Sequence, residues 1–205
     1  RITSVNSTKQ ITNAMKMVSA SKLRKNQDAV LKLRPYIKKF AEIIDAIASS
    51  SDQIKDVSPF LEVRDVEKVL IVVVSSNRGM CGSFNSNVIK EAVKIIEEEY
   101  RPFRENGNLS IITIGKKASD YFSKHKYNVV EKLDSIFDNL NYENTVKIID
   151  SITHKFMSKE IDRCVVVSNR FRNAAIYDLI KDQLLPIQIT DLKKDEASNI
   201  LLDYI

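Results

Sequence analysis

The sequence predicts an α/β fold: a mostly parallel, Rossmann-like sheet flanked by helices, preceded by a long N-terminal coiled-coil helix. Three observations carry this. Residues 1–78 contain no glycine, and their apolar residues recur at alternating steps of three and four. From Lys68 the character changes to a continuous β-branched run, Val69-Leu70-Ile71-Val72-Val73-Val74. Beyond it, strand-like and helix-like segments alternate, which is the pattern of parallel strands joined by helical crossovers. The implied division is 1–62 for a shaft helix and linker, 63–190 for the α/β domain, and 191–205 for a tail.

The helix is justified first. Leu23, Val30, Leu33, Ile37, Phe40, Ile44 and Ile47, with Asn26 filling one gap, keep a heptad seam. Ile11, Met15 and Val18 form a similar stripe offset by one residue. A straight helix accumulates that offset against a strict heptad repeat. A helix of about 50 residues is about 75 Å long, more than one small domain can cover. Pro35 removes one backbone hydrogen bond, and because the register continues across it we expect a kink rather than a break. The pattern dissolves around Ser49-Ser50-Ser51-Asp52, and Ser58-Pro59 marks a linker.

The α/β elements follow in order. Val69–Val74 is apolar throughout, as in a strand buried on both faces. The turn Asn77-Arg78-Gly79-Met80-Cys81-Gly82-Ser83 leads to a helix through Val88, Ile89, Ala92, Ile95 and Ile96. Leu109–Ile114 is a second strand closed by Gly115, and 116–126 a short helix. Val129-Val130 marks a third strand, 141–157 a helix, and Arg163–Ser168 a further buried strand. One more strand is expected over 174–180.

Composition excludes several functions. The chain has 205 residues and a net charge of +5. No apolar run is long enough to span a bilayer. The start, Arg1-Ile2-Thr3-Ser4, has no signal-peptide core and no initiator Met, so the numbered chain is expected to begin inside a longer one. Cys81 and Cys164 are read as two small buried thiols in a reducing compartment. His125 and His154 have no Cys or carboxylate partners at ligand spacing, so no metal site is expected. Charge is uneven: residues 1–40 hold ten Lys or Arg and one acid, a net of +9, and the other 165 residues sum to −4. The asymmetry implies an N-terminal segment that meets something acidic, whether protein loops, a membrane surface or nucleic acid, or is enclosed by partners.

Two motifs invite chemistry. The turn from Ser75 to Gly82 stands between a strand and a helix, where backbone N–H groups favour phosphate. Its glycine spacing matches neither the dinucleotide fingerprint nor the P-loop, and the second strand does not end in a ribose-binding acid. A tight structural turn, with glycine where the backbone is crowded, competes with nucleotide binding. Cys81 near a helix start raises a nucleophile, yet neither histidine has a route to it. Arg78 is read as an ion-pair or partner-contact residue. The basic helix loosely imitates a DNA-binding basic zipper, but Ile11, Met15, Met17 and Val18 stand where DNA-facing polar residues belong.

Two segments carry a family resemblance. Residues 2–25, from Ile2-Thr3-Ser4-Val5 through Ile11-Thr12-Asn13-Ala14-Met15-Lys16-Met17-Val18-Ser19-Ala20-Ser21-Lys22, closely resemble the N-terminal helix of F-type ATP synthase gamma subunits. Arg34-Pro35-Tyr36 also occurs there. Ser75-Ser76-Asn77-Arg78-Gly79-Met80-Cys81-Gly82-Ser83-Phe84-Asn85 is similar to that family's turn after its first strand, and Val167-Ser168-Asn169-Arg170-Phe171 is a lesser match.

The resemblance implies a non-catalytic rotor shaft inside a ring of three alpha and three beta subunits. It couples ion translocation to ATP synthesis or hydrolysis without a cofactor. Met15, Lys16, Lys22, Arg24 and Lys25 are implied to face beta-subunit loops, and Arg78, Gly79, Cys81 and Gly82 to form a structural turn. An epsilon-type subunit and the membrane c-ring are the other implied partners, with no nucleic acid. The setting implied is peripheral, on the cytoplasmic face of a bacterial inner membrane, or alternatively the matrix side of the mitochondrial inner membrane. The family's second long helix, antiparallel to the first, is not represented in the residues up to Ile205. The rival reading is a nucleotide-binding α/β enzyme with a coiled-coil oligomerisation arm. That reading predicts that ATP or NAD raises the melting temperature, whereas the rotor reading predicts no shift.

Overall fold

The structure, a computed structural model, describes residues 1–50, 58–173 and 176–187, with side chains in the first stretch as far as residue 43. Ile44 and Ile47 of the seam, the linker at Ser51-Asp52, Ala174 and the tail 191–205 lie outside the described side chains or residues. The chain forms two compact units, one holding the N-terminal helix and the other lying within Gln53–Gln188.

Helix α1 runs from Ile2 to Ser50, 49 residues, without interruption at Pro35. Its first turns carry β-branched hydroxyl residues whose hydroxyls are satisfied within the helix: Thr8 Oγ1 donates to Ser4 O at 2.9 Å and Thr12 Oγ1 to Thr8 O at 2.8 Å. Farther along, Glu42 pairs with Lys38 at 3.8 Å and Lys39 at 3.6 Å, one helical turn away. Its seam is exposed: Leu23 at 45%, Leu33 at 57% and Phe40 at 63%.

The α/β unit begins with a 3₁₀ turn at Pro59–Leu61 and then strand β1 at Val69–Val74. Helix α2 (Phe84–Glu98) and the short α3 (Arg101–Glu105) lead to β2 (Leu109–Ile114). Helix α4 (Lys116–Lys124) leads to β3 (Val129–Lys132), and α5 (Tyr142–Met157) to β4 (Arg163–Phe171) and β5 (Tyr177–Leu185). The strand order is β3-β2-β1-β4-β5. The first four are parallel, with Val69 opposite both Leu109 and Arg163, and β5 runs antiparallel to β4. The fold is thus the expected α/β sheet behind a long N-terminal helix.

Two cores fill the faces. Val69, Ile71 and Val73 point towards α2 and α4, where Val88, Ala92, Ile96 and Phe122 are fully or almost fully buried. Leu70, Val72 and Ile112 point the other way, onto Ile152 and Phe156 of α5. Alternate residues of one apolar strand thus serve both cores, and each buried side chain contributes about 1.5–3 kcal/mol. Asn141 caps α5 by accepting from Asn144 N at 2.8 Å.

The last strand departs from expectation: it spans Tyr177–Leu185, not 174–180. Its register is set from β4, with Phe171 opposite Tyr177 and Cys164 opposite Leu185. Pairing, rather than its own mixed pattern of charges and apolar residues, makes it a strand. Helix α4 ends two residues before the expected 126, where Lys126 takes a positive φ of 58°.

Candidate functional site: the cationic helix and the turn after the first strand

The five helix residues singled out from sequence all lie on exposed surface of α1. They do not share one face. At about 100° per residue, Lys22 and Lys25 lie within about 80° of Met15, whereas Lys16 is about 100° round the axis and Arg24 on the opposite side. Met15 is 63% exposed and neighbours Ile11 and Val18, at 62% and 56%, on its face. Lys16, Lys22, Arg24 and Lys25 form no ion pair among the described residues. The helix thus presents an apolar stripe edged by uncompensated cations.

The turn after β1 is tied together by its own side chains. Asn85, in the first turn of α2 and almost fully buried, accepts from Ser76 N at 2.9 Å. Its Nδ2 donates to Ser76 Oγ at 2.9 Å, Cys81 Sγ at 3.1 Å and Arg78 O at 3.3 Å. Ser75 Oγ accepts from Ala118 N at 2.9 Å and donates to Gly115 O at 3.1 Å. Asn77 bridges to the next loop, donating to Asp134 O at 2.7 Å and accepting from Lys116 N at 2.9 Å. The Asn85 bonds lie within the motif itself, whereas the bonds of Ser75 and Asn77 reach residues 39–57 positions away, which the motif alone did not reveal.

Three expectations about the turn are corrected. Cys81 is exposed; only Cys164 is buried, and burial pushes its thiol up to about 12. Gly79 and Gly82 are not crowded: a Cβ on Gly79 would meet only the Lys117 side chain at 3.6 Å, and one on Gly82 nothing within 4 Å. Gly82 is required instead by its φ of 59°. The crowded glycine is Gly115, whose Cβ would lie 2.3 Å from Ser75 O. Arg78 is exposed and forms no ion pair among the described residues, which removes the ion-pair reading. Next to it Met80 projects fully into solvent with φ 62°.

The chain leaves β1 for β2 on one side and returns to β4 on the other, so a ligand crevice is expected at the carboxyl ends of β1 and β4. The protein's own side chains occupy it. Asn169 Nδ2 donates to Phe84 O at 2.9 Å, and the Phe84 and Tyr177 rings meet edge-on at 5.2 Å. The Tyr177 hydroxyl lies 3.1 Å from Ser83 Oγ and accepts from Asn87 Nδ2 at 3.1 Å. Clefts of about 460 and 340 Å³ open elsewhere, at the amino ends of the strands. Among the described residues no cluster of three His, Cys, Asp or Glu side chains could hold a metal ion, and no helix is long and apolar enough to cross a membrane.

A family profile described as ATP synthase matches residues 1–204. The ATP synthase gamma chain of Chloroherpeton thalassium is 39% identical over 200 residues, 97% of this chain and 64% of the relative. Those of Christiangramia forsetii and Flavobacterium johnsoniae are 40% and 42% identical, each covering 100% of this chain and 68% of the relative. The chain therefore spans about two thirds of the length of the curated relatives it matches. Among solved structures, a chain of the Tetrahymena thermophila mitochondrial ATP synthase central stalk and c-ring superposes with a TM-score of 0.66 at 18% identity, covering 95% of this chain and 86% of its own. A chain of the Euglena gracilis mitochondrial ATP synthase rotor gives 0.59 at 21%, covering 95% and 61%. At such identities these likenesses speak for the fold. With the profile match over nearly every residue and gamma chains at about 40% identity, the chain belongs to the ATP synthase gamma chain family.

Proposed function

We propose that this chain is the central-stalk rotor subunit of an F-type ATP synthase, turning inside a ring of three alpha and three beta subunits and doing no catalysis itself. The observation that carries the reading is α1: 49 residues of unbroken helix with exposed Met15 and unpaired cations beside it. A rotor needs contacts that release at every step. Exposed charge pairs of about 0–1 kcal/mol meet that need, and a deep specific pocket would not. The filled crevice beside Tyr177 and the self-bonded turn at Asn85 supply no nucleotide cradle, in keeping with a mechanical part.

In this reading residues 1–62 are shaft and linker, 63–190 the foot, and 191–205 a lead towards further chain. Met15, Lys16, Lys22, Arg24 and Lys25 face acidic loops of the beta subunits in turn as the shaft rotates, which suits cations spread around the axis. Arg78, Gly79, Cys81 and Gly82 form a structural turn in the foot. The foot meets an epsilon-type subunit and the c-ring, and the chain lies peripherally, through the complex, on the cytoplasmic face of a bacterial inner membrane, the setting that the bacterial relatives favour. The test is charge reversal in the reconstituted complex: Lys22→Glu with Lys25→Glu lowers ATP synthesis driven by an imposed ion gradient. Unchanged synthesis with normal assembly would sink the assignment of these residues.

A further inference from the structure

The amino ends of four adjacent strands form a rim that the rotor reading does not use. Three of the turns feeding it share one geometry. After α3, Gly107 N donates to Arg104 O and Asn108 N to Phe103 O; after α4, Lys126 N donates to Ser123 O and Tyr127 N to Phe122 O; after α5, Lys159 N donates to Phe156 O and Glu160 N to Lys155 O. Each closes a helix with a residue of positive φ: Gly107 at 76°, Lys126 at 58° and Lys159 at 59°. Glycine is the usual occupant, because a Cβ is disfavoured there. Two of the three positions nevertheless carry lysine.

Those lysines belong to a larger group. Lys68, just before β1, donates to Lys159 O at 3.5 Å, which sets the two side by side. Lys68, Lys124, Lys126 and Lys159 form no ion pair among the described residues, whereas the nearby Glu105 and Glu160 are paired, with Arg101 and Lys155. Asp65 and Glu67, on the segment leading into β1, are acids without an ion pair among the described residues. Adjacent strands stand about 4.8 Å apart, so the rim from β3 to β4 spans about 15 Å. Two clefts open between its turns. One, of about 460 Å³, is lined by Arg104, His125, Lys126 and Tyr127; the other, of about 340 Å³, by Lys68, Asn108 and the paired Lys155 and Glu160, with Lys159 beside Lys68 at its edge.

The geometry points to this rim as a docking surface for an acidic protein segment, whose carboxylates meet Lys126 in one cleft and Lys68, with Lys159 beside it, at the other. Separate concave clefts suit side chains arriving one by one. A flat lipid surface is a poorer fit, because the aromatics here, Phe103 and Tyr127, are half-buried and unavailable for insertion. Lysine at Lys126 and Lys159 sacrifices backbone comfort for charge, which a purely structural turn does not require.

The test uses the full chain and a fluorescein-labelled octaglutamate peptide, with carbodiimide cross-linking to map the lysines touched. The double variant Lys126→Gly, Lys159→Gly keeps the turns, since glycine suits both; circular dichroism checks the fold. Wild type is expected to cross-link through Lys68, Lys126 and Lys159, and the double variant to bind about fivefold more weakly. Equal affinity, with cross-links confined to α1 lysines, would overturn the proposal. So would loss in the double variant of binding to phosphatidylglycerol vesicles while octaglutamate binding stays unchanged, since that assigns the rim to lipid.

Discussion

Removing the carboxylate of Asp162 should cost the α/β unit about 3–5 kcal/mol. Arg64 and Asp162 form an almost buried pair, with side chains 15% and 10% exposed and Nε to Oδ1 at 2.7 Å. Asp162 Oδ2 also accepts from Lys68 N at 2.8 Å and Glu67 N at 3.0 Å, fixing the entry to β1. Arg64 in turn donates to Phe156 O at 2.8 Å and Ile161 O at 2.5 Å and lies 4.3 Å over the Phe156 ring. Asp162→Ala therefore leaves a nearly buried guanidinium with only the half-exposed Glu62 carboxylate, 3.9 Å away, as counter-charge, and two backbone N–H groups unbonded. Against a typical domain stability of about 5–15 kcal/mol that is a large fraction.

Urea unfolding followed by circular dichroism reads the loss as a lower midpoint at unchanged slope. A loss under about 1 kcal/mol would refute the reasoning, since that is the worth of an exposed pair. Burial works to raise the carboxyl of Asp162, but the N–H groups of Lys68 and Glu67 and the Arg64 guanidinium outweigh it and hold the folded pKa below the ordinary value. The stabilisation is thus complete above about pH 3.9 and disappears as pH falls through the lowered folded value. Asp162→Asn should remove most of that acid-limb dependence.

Other expectations concern the turn and the thiols. Gly115→Ala should destabilise by about 3 kcal/mol or more, because backbone Ser75 O cannot yield to the new Cβ; Gly82→Ala, with open space around it, should cost only about 1–2 kcal/mol for its left-handed backbone, and equal melting temperatures would contradict the contrast. At pH 8 a maleimide should label Cys81 promptly and Cys164 only on unfolding, because the buried thiol, pushed up to about 12, is both inaccessible and protonated. Two fast-reacting thiols in the native chain would show that the β4 core is not closed as described.

Much of the architecture was legible because its signals are local. The glycine-free run to residue 78 announced α1, and the unbroken apolar stretch at Val69–Val74 announced a strand buried on both faces. What escaped has no local periodic signal. β5 was expected over 174–180, but pairing with β4 carries it on to Leu185, a stretch that Lys181 and Asp182 hid from pattern reading. The five-residue α3 is too short for a periodic signal. The exposure of Cys81 follows from a turn drawn inward at Asn85, so a small-hydrophobe rule misplaced it. On α1 the residue types of Met15, Lys16, Lys22, Arg24 and Lys25 were readable, and the helical angle spreads them around the axis.

The most direct test of the central claim is native mass spectrometry of the gene's full-length product co-expressed with its alpha and beta subunits. A rotor shaft predicts one copy held by three alpha and three beta subunits. A properly assembled alpha–beta ring standing beside a free or self-paired chain would contradict it.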